Sequence, residues 1–459
     1  MARYFGTNGV RGKLDTLGPT LALSLSRAIG TYFKGGKMLI GRDFRISGPV
    51  LRDSVEAGLA SAGCEIIDLG VVSSPTAEFM VKKLGADGLI IITASHNPPE
   101  WNALKVVDGK GTAVSKERGE DIEKLMEKPK SALVSWERIG KTKKYERASE
   151  DHIEAIMGFV DVAKIRARNQ NQKQKLKFIL DCGNGTACII APQLFERLGC
   201  DVMTLNGHPD GRFPGRPSEP SEANVKDLIA AVKTGKADAG IAWDGDGDRV
   251  IFVDEKGNYV IGDKVFALCI LWEMEKATKQ KKPRPESDIV TTVATSKVVE
   301  DIASRFGSKT RYTAIGAPAL CEEMAKKPAL MGGEEVGGVI FPELSMAKDG
   351  FMVAAKLAEG LCEKPLSAWL KELPIYYNVK RKIEADTSKK KEMVSRVLAH
   401  AKKNKLQFVD VDGVRVNLKD SWVIVRASGT EDYVRIFAEA KSKDEAEKLA
   451  NEYERIANG

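Results

Sequence analysis

The sequence predicts an α/β chain in which three related mixed-sheet β-α-β domains and a smaller C-terminal α+β domain surround a central cleft. Two observations carry that expectation. An amphipathic helix, a Gly-Cys pair and a short strand recur at Leu51–Gly70 and Ile189–Asn206, with a fainter copy at Thr295–Gly316. After Pro374 the pattern changes to short strands and two helices, as in "LQFVDVDGVRVNLKDSWVIVRASGT". Each repeated helix follows a strand-like segment, "KMLIGRD", "KFILDCGNG" or "DIVTTVATS". Each copy also has a later strand ending in an unusual loop: "GLIIITASHNPP", "AGIAWDGDGDR" and "ALMGGEEVGG". Right-handed crossovers put such loops on one edge of each sheet, so three facing domains would bring them to one cleft. The expected domains are 1–150, 151–254, 255–374 and 375–459, with boundaries near Glu150, Asp254 and Pro374.

Composition narrows the class. At 459 residues, 43% hydrophobic and 29% charged, the chain reads as globular and long enough for several domains. A formal charge of +7 suits a phosphorylated or acidic small molecule. The basic residues are scattered rather than striped, which argues against nucleic acid. The one dense run, "KQKKPRPES" at Lys279–Ser287, reads as a solvated connection. Seven cysteines without a C-x-x-C pair argue against a disulfide framework or a zinc cluster. The opening "MARYFGTNGVRG" has no apolar signal-peptide core, and no apolar run approaches the roughly 18 residues that span a bilayer. The expectation is a cytoplasmic protein with no membrane partner.

The polar loops carry the chemistry. In "GLIIITASHNPPEWNALK", Leu89–Ile92 reads as a buried strand that the prolines stop abruptly, leaving Ser95 and His96 at its C-terminal end. Adjacent residues of an extended loop point opposite ways, which argues against a Ser–His hydrolase dyad, and no G-x-S-x-G elbow surrounds Ser95. In "WDGDGDRV", Asp244, Asp246 and Asp248 alternate with glycines. Three such carboxylates repel one another and rise in pKa unless a cation compensates. Oxygen ligands suit a hard cation, and Mg²⁺ pairs carboxylates with a phosphate. The spacing imitates an EF-hand, but Arg249 stands where its glycine is required. "GNGTAC", Gly183–Cys188, approaches a dinucleotide fingerprint but has Cys188 in the third small-residue position. "GGEEVGG" offers Glu334 and Glu335 for sugar hydroxyls. "VRASGTEDYVR" sets Arg426 and Arg435 around Ser428, Gly429 and Thr430, a composition suited to a phosphate clamp. A serine, a cation site, a carboxylate and an anion clamp together fit phosphoryl transfer.

With "TASHNP", "DGDGDR", "GEEVGG" and "RASGTE" in order, and "FGTNGVRG" at the start, the whole chain resembles the α-D-phosphohexomutases. The resemblance implies a phosphoserine at Ser95 and one Mg²⁺ held by Asp244, Asp246, Asp248 and a phosphate oxygen on Ser95. It implies that Arg249 approaches the substrate or the transferring group and that Glu334 binds sugar hydroxyls. Arg426, Ser428, Gly429 and Thr430, supported by Arg435, would hold the non-reacting phosphate. Arg11, His96 and Lys105 would surround the phosphoserine, with Lys105 as candidate proton shuttle. The implied reaction interconverts hexose 1- and 6-phosphates through a sugar bisphosphate, which also serves as activator.

The opening motif and "SGTE" look closer to phosphoglucosamine mutases, which makes glucosamine 6-phosphate the expected substrate. Val336, Gly338 and Ala317 depart from the usual residues of those enzymes and favour the alternative, a phosphomannomutase/phosphoglucomutase of broad hexose range. An NAD-dependent oxidoreductase using "GNGTAC" and a non-catalytic sugar-phosphate binding protein are the remaining readings.

Overall fold

The computed structural model describes residues 4–6, 9–127, 133–172, 174–280, 288–428 and 432–459. The described residues form four sheets, and the chain divides into two compact units. Residues 1–265 and 336–369 make the first unit, and 266–335 with 370–459 the second.

Two sheets build the first unit. The larger has seven strands, from Phe5–Gly6 at one edge to Thr142–Lys144 at the other. Next to its middle strand lies Lys37–Arg42, parallel to both Glu65–Val71 and Gly88–Ile92. Met38, Leu39 and Ile40 are fully buried there, as a central strand covered on both faces requires. Gly88–Ile92 is parallel on that side but antiparallel to Trp101–Asp108 on the other, which in turn pairs antiparallel with Gly9–Lys13. The buried apolar run therefore marks a central strand of a mixed sheet. The second sheet repeats the plan. Lys177–Asp181 is parallel to Asp201–Leu205 and to Ala239–Trp243, and Ala239–Trp243 is antiparallel to Val250–Asp254. Its edge strand Asp201–Leu205 is partly exposed, with Met203 48% accessible, in contrast to the buried Ile66 of the matching copy.

The second unit holds three short parallel strands and an antiparallel sheet. Ile289–Thr292 lies between Thr310–Thr313 and Met331–Gly333. Tyr377–Glu384, Tyr433–Ala440, Trp422–Ala427, Val414–Asn417 and Gln407–Val409 form the antiparallel sheet, in that order. Helices Thr387–Lys403 and Lys443–Asn458 pack their apolar faces, including Val397, Ala450 and Tyr453, on Val416, Val425 and Ile436. Buried Arg415 joins the two sheets. Its guanidinium donates to Val293 O and Thr295 O at 2.9 and 2.7 Å and lies 3.8 Å over the Trp422 ring. Most of the basic run at Lys279–Ser287, from 281 on, lies outside the described residues. Among the described residues no helix is long and apolar enough to cross a membrane.

Candidate active site

Ser95 sits where the Gly88–Ile92 strand ends, but its loop is not extended. Thr93 Oγ1 donates to Asp43 Oδ2 at 2.6 Å and accepts from Ser95 N–H at 3.0 Å. Ser95 then turns to φ +52°, in the left-handed region that costs a non-glycine residue about 1–2 kcal/mol. Arg45 holds that conformation. Fully buried, it donates to Ser95 O (2.8 Å), Asn97 O (2.7 Å), Pro98 O (2.5 Å) and Trp101 O (2.9 Å), and its Nε to Asp43 Oδ2 (3.0 Å). Ser218 Oγ adds a second bond to Ser95 O, at 2.9 Å.

The left-handed turn corrects the expected divergence of Ser95 and His96. Their Oγ and Nδ1 atoms come within 3.4 Å, a weak contact. The short bond of the serine runs instead to Asp244 Oδ2, at 2.6 Å. Burial, with Arg249 and Arg11 nearby, pushes His96 down to about 3. Such an imidazole is a poor base at neutral pH, which speaks against a Ser–His dyad.

The aspartate loop lies against this serine. Asp244, Asp246 and Asp248 are buried, and each offers a carboxylate oxygen within 4.8 Å of the others. Asp244 Oδ1 accepts from the backbone N–H groups of Gly247 and Arg249 at 3.1 and 3.2 Å. Asp246 Oδ2 accepts from Lys105 Nζ and Ser74 Oγ, both at 2.6 Å. Asp248 Oδ2 lies 3.2 Å from Lys348 Nζ. Asp246 Oδ1 and Asp248 Oδ1 are buried with no hydrogen-bond partner among the described residues. Buried polar oxygens are rarely left so. An all-oxygen donor set with two orphaned carboxylate oxygens fits a hard divalent cation.

The carboxylates were expected to rise in pKa unless positive charge compensates, and here they divide. Burial raises Asp244, and Asp246 and Asp248 add repulsion. At Asp246 burial is outweighed chiefly by Lys105, and at Asp248 by Lys348, so both lie below the usual range. Two lysines, one distant in sequence on each side, supply the compensating charge. For Lys105, burial would lower the ammonium, but Asp246 and Asp248 hold it above its ordinary value.

Around the pair stand Arg11, whose Nη1 donates to Asn97 Oδ1 at 2.7 Å, and Arg249, whose Nη1 donates to Glu219 Oε2 at 2.9 Å. The glycine loop "GNGTAC" has a packing role here. A Cβ on Gly185 would meet Gly245 O at 2.7 Å, and Thr186 N–H donates to that same oxygen at 3.1 Å. The glycine lets this loop support the aspartate loop, which accounts for the partial fingerprint.

The sugar and phosphate candidates belong to the second unit. Glu334 and Glu335 follow the Met331–Gly333 strand, and Thr292 Oγ1 donates to Glu335 Oε2 at 3.2 Å. Burial and Glu334 raise Glu335. Arg426 ends the Trp422–Ala427 strand directly opposite Arg435, with Ser428 buried just beyond. Arg426 Nε donates to Asp412 Oδ1 at 2.7 Å. Gly429 and Thr430 lie outside the described residues.

Sequence reasoning missed Arg45, Ser74, Glu219, Lys348 and Asp412. Only Asp412, beside Gly413 in a strand-turn-strand pattern, carried even a weak local signal.

A serine hydroxyl bonded to a buried three-carboxylate cation site, ringed by lysine and arginine, defines a phosphoryl-transfer enzyme on an α/β scaffold. Comparison with known proteins gives the family. Residues 2–133, 150–257 and 261–377 match the alpha/beta/alpha domains I, II and III of phosphoglucomutase/phosphomannomutase, and 376–456 match its C-terminal domain. The chain belongs to this phosphohexomutase family, whose members are isomerases acting by intramolecular phosphoryl transfer. A "Phosphoglucomutase/phosphomannomutase" of Thermococcus kodakarensis is 39% identical, covering 97% of this chain and 96% of the relative. A "Phosphoglucosamine/phosphogalactosamine mutase" of Sulfurisphaera tokodaii is 36% identical over the full length of both. A crystal structure of a family protein from Burkholderia thailandensis superposes with a TM-score of 0.85 at 26% identity, covering 98% of this chain and 96% of that one.

Proposed function

We propose that this phosphohexomutase carries its phosphoryl group on Ser95 and interconverts glucosamine 6-phosphate and glucosamine 1-phosphate. The observation that supports the reading most strongly is the 2.6 Å bond from Ser95 Oγ to Asp244, inside a carboxylate cluster with two orphaned oxygens. Asp244, Asp246 and Asp248, with a phosphate oxygen on Ser95, would hold one Mg²⁺. When bound, that ion offsets negative charge on the transferring group.

The residues of the chain then divide the work. Phosphoserine 95 gives its phosphoryl group to a sugar monophosphate, and the Ser95 oxygen is left as the acceptor for the return. The sugar bisphosphate turns, and its other phosphate passes back to Ser95. Free bisphosphate would load an unphosphorylated serine. Within each transfer Lys105 relays one proton: it donates to the leaving Ser95 oxygen and takes up the proton released by the attacking sugar hydroxyl, and on the return it takes the Ser95 proton and gives one to the leaving sugar oxygen. Arg11 and Arg249 bear on the phosphoryl oxygens, and His96 offers a neutral hydrogen-bonding group. Glu334 accepts from sugar hydroxyls. Arg426, Ser428, Gly429 and Thr430, with Arg435, hold the phosphate that does not react.

A second reading, broad phosphomannomutase/phosphoglucomutase activity, is favoured by Val336, which cannot hydrogen-bond an amino group or a hydroxyl. The deciding measurement is kcat/KM for glucosamine 6-phosphate and mannose 6-phosphate on one preparation, with Mg²⁺ and a sugar bisphosphate present. A preference of about 100-fold for the amino sugar, near 2.7 kcal/mol, supports the first reading. Comparable values support the second. Ser95→Ala should abolish turnover with either sugar while keeping the fold, and near wild-type turnover would remove the phosphoserine assignment.

A further inference from the structure

Behind the aspartate loop lies a buried hydrogen-bond chain that the reaction does not use directly. His152 is fully buried on helix Ala148–Phe159. Its Nε2 lies 2.9 Å from Asp349 Oδ2 and its Nδ1 lies 3.0 Å from Thr76 Oγ1. An ionised carboxylate only accepts, so Nε2 donates to Asp349. Thr76 Oγ1 is 2.7 Å from Ser73 Oγ, which caps helix Ser74–Lys83 by accepting from Thr76 N–H. Asp349 Oδ1 caps helix Gly350–Gly360 by accepting from Phe351 and Met352 N–H at 2.9 and 3.0 Å. The ring is held between Phe79, stacked at 5.3 Å, and the edge of Phe351 at 6.4 Å.

Both ends of this chain lead to the carboxylates. Two residues before Thr76, Ser74 donates its N–H to Asp246 O and its Oγ to Asp246 Oδ2, at 3.0 and 2.6 Å. Beside Asp349, Lys348 reaches Asp248, and Gly350 N–H donates to Gly247 O at 3.2 Å. The Gly350 contact is close, because a Cβ there would meet Gly247 O at 2.9 Å. One segment thus grips the loop at Asp246 and the other at Gly247 and Asp248. The two ring nitrogens of His152 bond to both segments.

We infer that His152 is a positioning residue for the cation site, fixing the spacing of the Ser74 and Lys348 segments and through them the Asp246 and Asp248 oxygens. A buried uncharged group would do as well if it donated to Asp349 and accepted from Thr76. A ring that only fills the space would not. The inference rests on the cation reading of the three aspartates. It predicts an effect on metal affinity that is separate from any effect on sugar affinity.

The test measures Mn²⁺ binding to the full chain by electron paramagnetic resonance, together with the Mg²⁺ activation constant and the KM for glucosamine 6-phosphate or mannose 6-phosphate at saturating Mg²⁺. His152→Phe should weaken Mn²⁺ binding about 10-fold, as loss of an outer hydrogen bond typically does, and change the sugar KM less than about twofold. His152→Gln, whose amide can donate to one partner and accept from the other, should recover most of the affinity. If His152→Phe does not fold, Thr76→Val removes the Nδ1 contact at nearly constant volume and should weaken Mn²⁺ binding about threefold or more. Wild-type Mn²⁺ affinity in the folded variants would overturn the inference, as would equal loss of metal and sugar affinity. Failure of the wild-type protein to bind Mn²⁺ would instead remove the cation reading itself.

Discussion

Two acidic loops of this molecule handle buried negative charge in opposite ways. Around Asp244, Asp246 and Asp248, Lys105 and Lys348 bring in positive charge, and two of the carboxylates fall below their ordinary range. Around Glu334 and Glu335, burial and the neighbouring acid raise Glu335, while Lys380 and the Thr292 hydroxyl offset only part of that rise. The first loop meets its buried carboxylates with lysine charge. The second leaves Glu335 against a neighbouring acid, with the Thr292 hydroxyl as a hydrogen-bond partner. The difference shows that acidity in a motif does not by itself tell what the loop binds; the partners do.

The largest test of the contrast removes a compensating charge. Lys348→Met should leave Asp248 buried without its partner and cost about 3–5 kcal/mol in urea unfolding without metal. Mg²⁺ should restore part of the loss, and a variant as stable as wild type would break the comparison. Asp412→Ala frees the guanidinium of Arg426, with a rise of about fivefold in KM and little change in kcat. An unchanged KM would mean that Asp412 does not hold the arginine in place.

The two loops should also respond to pH with opposite signs. Asp246 is lowered in the fold, so its contribution is present above its ordinary value near 3.8 and is lost as pH falls. Glu335 is raised, so its contribution is complete below its ordinary value near 4.5 and is lost as pH rises through the folded value. Glu335→Gln should therefore gain melting temperature relative to wild type as pH increases, where a constant difference would contradict the assignment. The same sign applies to Glu78, which burial pushes to about 8 despite Lys105. Glu78→Gln should match wild type in stability near pH 4 and exceed it clearly by pH 8, read from melting curves across that range. A difference that shrinks with pH would reverse the sign.

Much of this organisation was legible in the sequence, for physical reasons. The strands before the loops are buried on both faces, so "GLIII" and "AGIAW" stand out as apolar runs, and the alternation of Asp with Gly leaves no room for a helix. The Ser95–Asp244 bond brings the two motifs together. What could not be read is the partnership across distance. Arg45 meets residues 50 to 56 positions away, and Lys348 meets Asp248 across a separation of 100. Neither sits in a composition that differs from an ordinary surface. The mixed sheet was only partly visible, because Trp101–Asp108 is apolar enough to pair in either direction. The conformation of Ser95 was hidden for a related reason: nothing local favours φ +52°, and distant donors enforce it.

Those donors have a consequence for how the enzyme ages through many turnovers. All five N–H groups of Arg45 are engaged, four bonds going to carbonyls of the Ser95–Trp101 segment. The loop thus has little internal disorder left to lose. On the proposed reaction, a serine without its phosphate would keep the backbone shape that these bonds fix, and loss of the group would be a pause and not a collapse.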